Sequence, residues 1–291
     1  MGSLIAIDGV GWTRAVFLLN PFVNSYRYLQ PVNPSTIHNQ QSTITPGELK
    51  PFWQKYFGFN WKFGLFLILI ICVPRFLLVL HANATANYRY IGLLMVASAL
   101  APYVFLTRDG RKKIGMKWSA KYDVVVIGFF IGLFCSLLIY VAGDMLFGSS
   151  YENWYVYIGR SYNIPAGIAG KDKAILFAVM AGTGMIFSPI GEELFFRGIV
   201  HSSFANSVGE RKASYIDGAA FALTHISHFG LVYVNRHWEF LIGATLNWVL
   251  YMFFLSLVFN AIKKDSGSLV GAIFCHAAFN LGMIYCIFYL L

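Results

Sequence analysis

Residues 174–200 read AILFAVMAGTGMIFSPIGEELFFRGIV. The stretch is uncharged from Ala174 to Gly191, then carries Glu192, Glu193 and Arg197 in a sequence that stays apolar. An apolar run of this length is what a helix needs to cross a bilayer. Ionisable groups at such a place are expensive, so they point to a function. This one stretch therefore argues for a membrane protein with polar chemistry inside it.

The rest of the chain agrees. Of its 291 residues, 57% are apolar or aromatic and 12% are charged, with a mean hydropathy of +0.60. A soluble domain carries about 25% charged residues to cover its surface. The composition excludes a soluble globular protein, a disordered chain, a disulfide scaffold and a coiled coil. The expected fold is all-α, a polytopic transmembrane helical bundle. Cys72, Cys135, Cys275 and Cys286 all lie in apolar runs and form no CxxC, so they read as buried free thiols.

Seven spans are expected. They run from about Phe63 to His81, broken at Pro74-Arg75, then Tyr90 to Leu106 and Asp123 to Phe147. The later ones run from Lys173 to Phe196, Ala213 to Phe229, Phe240 to Ile262 and Ser268 to Leu291. The third carries Gly128-xxx-Gly132, a close-packing face. Residues 1–60 are expected to form a cytoplasmic tail, with a short interfacial helix at Ala15–Val23 that is too short to span. Residues 61–291 form the transmembrane domain.

Sidedness follows from the basic loops. Residues 107–122, TRDGRKKIGMKWSAKY, hold six Lys/Arg and one acid, so they belong in the cytoplasm. Counting spans places the N-terminus, the 197–212 loop and Lys263-Lys264 with them. That puts 16 of the 22 Lys/Arg inside and 5 outside, with Arg75 inside a span. The outer loops are then 82–89, 148–172 and 230–239. The basic residues sit between apolar runs and not in an aromatic-lined groove, so the net charge of +9 does not imply a nucleic-acid partner. The lipid bilayer is the implied partner. The sequence does not specify an oligomeric state.

Three clusters carry chemistry. Glu193 and Arg197 are four residues apart, so they share a helix face and can pair. Glu192 is turned by ~100° at 3.6 residues per turn and is left free to face a cavity as a base. Phe221 and His225 share a face in the fifth span, and His276 and Asn280 share one in the seventh. Two polar side chains on one face can donate to one oxygen atom, as an oxyanion site requires, or they can simply bond two helices together. By helical rise Glu192, His225, His276 and Asn280 all fall in or near the cytoplasmic half of the bilayer. HExxH, GxSxG and a Walker A sequence are absent. Glu and two His are acceptable zinc ligands, so a metal site is the alternative use of the same residues. A proton-coupled carrier or a non-catalytic immunity or assembly scaffold would also place such groups in spans.

Glu192-Glu193-xxx-Arg197, Phe221-xxx-His225 and His276-xxx-Asn280, in that order, resemble the CPBP intramembrane protease family. That family includes the type II CAAX prenyl endopeptidases and bacterial members linked to bacteriocin processing and immunity. The resemblance covers about residues 172–284, the expected catalytic core. It implies about eight helices around a cavity open to the cytosol. Glu192 would activate water as general base, His225 would assist it, and His276 with Asn280 would hold the oxyanion. Glu193, Arg197 and Phe221 would support the site. The implied reaction is endopeptidase cleavage near the C-terminus of a membrane-anchored polypeptide, with no metal or other cofactor. The implied location is the cell (inner) membrane if the source is a bacterium.

Overall fold

The computed structural model describes residues 47–291. Most of the expected N-terminal tail, including the helix expected at Ala15–Val23, lies outside the described residues. The described chain folds into helices α1 (Pro51–Gln54), α2 (Trp61–Thr85), α3 (Ile91–Phe105), α4 (Arg108–Lys113), α5 (Tyr122–Phe147) and α6 (Trp154–Gly159). Then come α7 (Gly170–Glu192), a π-helical segment (Glu193–Val200), α8 (His201–Val208), α9 (Glu210–Thr224), α10 (Ile242–Ser266) and α11 (Leu269–Tyr289).

Five helical segments are long and apolar enough to cross a membrane: α2, α5, α10, α11 and the continuous run Gly170–Val208. Apolar stripes at a spacing of about four residues stay exposed on α2 and α10. Leu65, Leu69, Val73 and Leu77 mark the one on α2, and Leu246, Leu250 and Phe254 the one on α10. Exposed bands of that kind suit contact with lipid. The bundle is thus helical and multi-pass, as the composition implies.

Several expected boundaries move. Pro74 does not break α2, which runs on to Thr85. In an apolar medium a helix loses more by unwinding than by giving up one backbone bond. The expected second and fifth spans are α3 and α9, of 15 residues each. At 1.5 Å per residue they reach ~22 Å, short of a ~30 Å hydrocarbon core. The 197–212 loop is helical throughout apart from Gly209. Residues 47–60 are not separate from the bundle. Leu49 bridges to Leu106, and the Trp53 indole donates to the Val104 carbonyl at 3.0 Å, so the packed body begins before residue 60.

One strand pair appears where an outer loop is expected. β1 (Leu231–Val234) and β2 (His237–Phe240) form an antiparallel hairpin. Its two-residue turn, Asn235-Arg236, has φ of 51° and 67°, the left-handed geometry that such a turn requires. Asn tolerates it and Arg adopts it under constraint, which is why the sequence does not advertise a hairpin.

The bundle has two distinct ends. At one, the basic 107–121 segment meets the start of α11. Ser119 donates to the Ser266 carbonyl at 2.8 Å, Leu269 N–H donates to the Gly115 carbonyl at 3.0 Å, and Lys113 pairs with Glu48 at 3.1 Å. At the other, Asn83 donates to the Ser227 carbonyl (2.8 Å), and Tyr233 N–H donates to the Tyr157 hydroxyl (2.8 Å). The grouping of loops expected from the sequence therefore holds in three dimensions.

The expected glycine face is used. A Cβ on Gly132 would collide with the Cys275 carbonyl of α11, so the two backbones touch there. That contact seats α11, and with it the neighbouring His276, against α5. The four cysteines are free thiols, Cys135 partly exposed and the others buried.

Candidate active site

The site is built where α7 gives way to the π-helical segment. Gly191 allows the approach: its Cβ would lie 2.6 Å from the Met95 carbonyl oxygen of α3. All eight residues of the π segment are buried. A π-helical turn widens the helix and re-aims its side chains, and such turns are frequent at functional sites.

Glu192 is 1% exposed. Its Oε1 accepts from Arg75 Nη2 at 2.8 Å and from Ser188 Oγ at 2.6 Å. Its Oε2 is buried with no hydrogen-bond partner and lies 3.8 Å from His225 Nε2. The expectation of one carboxylate neutralised by Arg197 and one without a counter-charge therefore changes. Each carboxylate has its own guanidinium, and Glu192 takes Arg75 from α2.

Glu193 points the other way. Its Oε1 is 2.7 Å from His276 Nδ1, and its Oε2 is 3.3 Å from Arg197 Nε. A carboxylate only accepts, so His276 Nδ1 carries the hydrogen. The Arg197 guanidinium sits 4.1 Å above the Phe221 ring and 5.2 Å from the Phe259 ring. Enclosure by aromatic faces offsets part of the cost of burying a cation. Phe221 also lies 4.2 Å from the His225 ring and 6.1 Å from the His276 ring, centroid to centroid. It thus separates and seats three of the polar groups at once.

His225 starts a 3₁₀ turn at the end of α9. Its Nδ1–H donates to the Phe221 carbonyl at 2.7 Å, which leaves a lone pair on Nε2 facing Glu192. Asn280 donates one amide hydrogen to the Gly184 carbonyl of α7 at 2.9 Å and keeps a second N–H. His276 is held by Phe259, whose ring stacks on it at 4.7 Å and 16°.

A cavity of about 510 Å³ gathers these groups. Glu192, His225, His276, Asn280 and Phe221 line it, and Arg75, Ser188 and His228 do too. Glu193 and Arg197 do not line it but stand behind it. Among the described residues, no group of three or more His, Cys, Asp or Glu side chains is arranged to hold a metal ion.

Three participants went unassigned on the sequence. Arg75 appears there only as a charge inside a span, with no clue that its partner is 117 residues away. His228 reads as a packing residue, yet its Nε2 is 3.4 Å from Arg75 Nη2 and it lines the cavity. Ser188 is one turn before Glu192, a spacing that could have flagged it.

The comparisons with known proteins agree with this region. Residues 174–282 match the family model described as Rce1-like, type II CAAX prenyl endopeptidase Rce1-like. No curated protein and no solved structure matches the chain. The matched stretch supplies Glu192, His225, His276 and Asn280, whereas Arg75 comes from outside it. Residues 174–282 are thus similar to the Rce1-like type II CAAX prenyl endopeptidases of the CPBP family.

Proposed function

We propose that this protein is an intramembrane endopeptidase in which Glu192 activates the attacking water. The observation that carries the reading is the unpartnered Oε2 of Glu192, buried beside a histidine whose Nε2 lone pair is free, in a cavity large enough for a peptide segment. A buried polar atom without a partner is rare and calls for an occupant. A water molecule between Glu192 Oε2 and His225 Nε2 fits that need.

The steps follow from the same atoms. Glu192 takes a proton from the water, and the hydroxide attacks the peptide carbonyl carbon. The carbonyl oxygen gains the negative charge and is met by the free N–H of Asn280 and by Nε2 of His276. His276 already gives its Nδ1 hydrogen to Glu193, so it donates from Nε2 only when that nitrogen also bears a hydrogen, beside a carboxylate that it shares with Arg197. The C–N bond then breaks and the proton held by Glu192 goes to the leaving amine. Acid and amine products balance one peptide bond and one water. A well-aimed oxyanion donor contributes about 3 kcal/mol to such a barrier.

Arg75 and Ser188 position Glu192 by fixing Oε1, so that only Oε2 can turn to the reaction. In this reading no metal takes part, and chelation leaves turnover unchanged.

The test compares membranes of the native host bearing wild-type protein or Glu192→Gln at equal abundance. Peptide termini are read by mass spectrometry. New C-termini are expected only with the wild type. Identical termini, with both proteins folded and the substrate pool present, would favour a non-catalytic scaffold.

A further inference from the structure

A second space adjoins the catalytic cavity. It is a pocket of about 140 Å³ whose walls include Asn83, Tyr88, Tyr157, Arg160, His228 and Tyr233. The two spaces share Tyr88, Ile158, Ser161 and His228. Their character differs. The cavity is walled mainly by apolar side chains such as Met180, Phe187 and Met283. The pocket is walled mainly by side chains that can donate a hydrogen bond.

Three of these donors are left over. Tyr157 is buried, and its hydroxyl accepts from the Tyr233 N–H at 2.8 Å. The hydroxyl's own hydrogen has no acceptor among the described residues. Arg75 can only donate, so His228 Nε2 accepts from it at 3.4 Å and His228 Nδ1 carries a hydrogen. That hydrogen also lacks an acceptor among the described residues. Arg160 is exposed, with its guanidinium 6.0 Å from the centre of the Tyr157 ring. Among the described residues it pairs with no carboxylate.

Among the described residues, no Asp or Glu lines the pocket, and Glu192 is the one carboxylate lining the cavity. Arg75 stands between the two: its Nη2 is 2.8 Å from Glu192 Oε1 and 3.4 Å from His228 Nε2. The Arg75 charge thus offsets repulsion between Glu192 and an anion held in the pocket. A guanidinium and two free donors, with no competing carboxylate, are complementary to an anion. The planar fork of Arg160 suits a carboxylate in particular.

We infer that this pocket binds a carboxylate of the substrate and so sets where the chain is cut. The group is the carboxylate of a chain end or that of an Asp or Glu side chain, since both present the same two oxygens. One guanidinium separates the pocket wall from Glu192, and an extended residue advances a chain by ~3.3 Å. The bound carboxylate therefore lies within a few residues of the cleaved bond. The role in cleavage rests on the proposed peptidase activity. The affinity of the pocket for a carboxylate does not.

Three short probes test the binding on the purified wild-type protein in detergent. They are N-acetylated dileucine as the free acid, its C-terminal amide, and that amide with Glu in place of the last Leu. Leu suits the apolar walls beside the pocket. Each probe is titrated against the midpoint of thermal unfolding. The amide is expected to need about tenfold more than the free acid for the same rise, as a charge-assisted hydrogen bond implies. Arg160→Met should remove that preference and Arg160→Lys should keep most of it. Arg160 is exposed, so neither change disturbs the packed core. A matching preference for the Glu probe assigns the pocket to any carboxylate, and its absence assigns the pocket to chain ends. Acid and amide acting alike, whether both raise the midpoint or neither does, overturns the inference. So does a preference that survives Arg160→Met. Native-host membranes then test the cut. Termini lost with Glu192→Gln are expected to carry a carboxylate at one short, fixed spacing, and Arg160→Met should lower their yield by about tenfold. Scattered spacing overturns the role in cleavage. If no terminus depends on Glu192, the peptidase reading fails, while the probes still decide what the pocket binds.

Discussion

Glu192 and Asp217 are both fully buried carboxylates facing a histidine, and they differ in what is left over. Asp217 Oδ2 meets His201 Nδ1 at 2.6 Å, and its Oδ1 accepts from Asn260 Nδ2 at 2.9 Å. His201 spends its other nitrogen on Glu210, whose side chain is 82% exposed. Both oxygens of Asp217 are used, and no member of that network lines the cavity. Glu192 has one oxygen held by Arg75 and Ser188, and one with nothing to hold it. The first network ties α8, α9 and α10 together. The second faces 510 Å³ of open space. Burial and a histidine neighbour do not mark a chemical site in a bundle. Unused hydrogen-bonding capacity aimed into a cavity does.

The largest effect should come from removing the unused oxygen. Glu192→Gln keeps the shape and loses the base. Terminus production per folded molecule should fall by about 10³-fold, within the usual range for a positioned acid–base group. Retention of more than a tenth of wild-type production would mean that Glu192 resembles Asp217 after all.

Next comes the counter-charge. Arg75→Met leaves Glu192 buried beside no cation, and breaking a buried pair costs about 3–5 kcal/mol. Adding Glu192→Gln to Arg75→Met removes the orphaned charge and should recover most of that loss. Thermal unfolding of the purified protein in detergent, read as a double-mutant cycle, checks the recovery. Simple additivity would show that Arg75 packs but does not pair.

Asn280→Ala should reduce terminus production by about 10²-fold if its free N–H meets the oxyanion. The same side chain bonds α11 to the Gly184 carbonyl of α7. A helix–helix hydrogen bond in a membrane is worth only ~1 kcal/mol. A small drop in stability with near-normal production would therefore reduce Asn280 to that link.

Much of this contrast was legible in the sequence on one side and invisible on the other. Glu192-Glu193-xxx-Arg197, Phe221-xxx-His225 and His276-xxx-Asn280 are visible because each spacing is local and each group sits in an apolar run. Helical periodicity also gives the long spans, and Gly128-xxx-Gly132 gives the tight contacts with α10, at Gly128, and α11, at Gly132. The Arg75 partnership is not local: α2 and α7 meet only after folding, so no spacing encodes it. The π-helical segment is hidden too, because reading by 3.6-residue turns assumes the geometry that it departs from. The extent of the cavity depends on which ends of α3, α10 and α11 leave space, which no single helix records. His201, Asp217 and Asn260 look like scattered polar residues until three helices bring them within 3 Å.

The smallest effect on chemistry should come from the satisfied network. Asp217→Asn preserves volume and replaces a charge-assisted hydrogen bond to His201 with a neutral one. It also turns a donor toward Asn260 Nδ2, which itself donates. Mispairing of a buried polar group costs about 1–3 kcal/mol, so thermal unfolding should shift down. Terminus production per folded molecule should stay within twofold of the wild type, because Asp217 touches neither the cavity nor Glu192. The one route by which it could matter runs through α10, where Lys263 donates to the Arg197 carbonyl on the π segment. If Asp217→Asn lowered production while stability held, that route would couple the two networks. The division between a structural and a chemical carboxylate would then be one of degree.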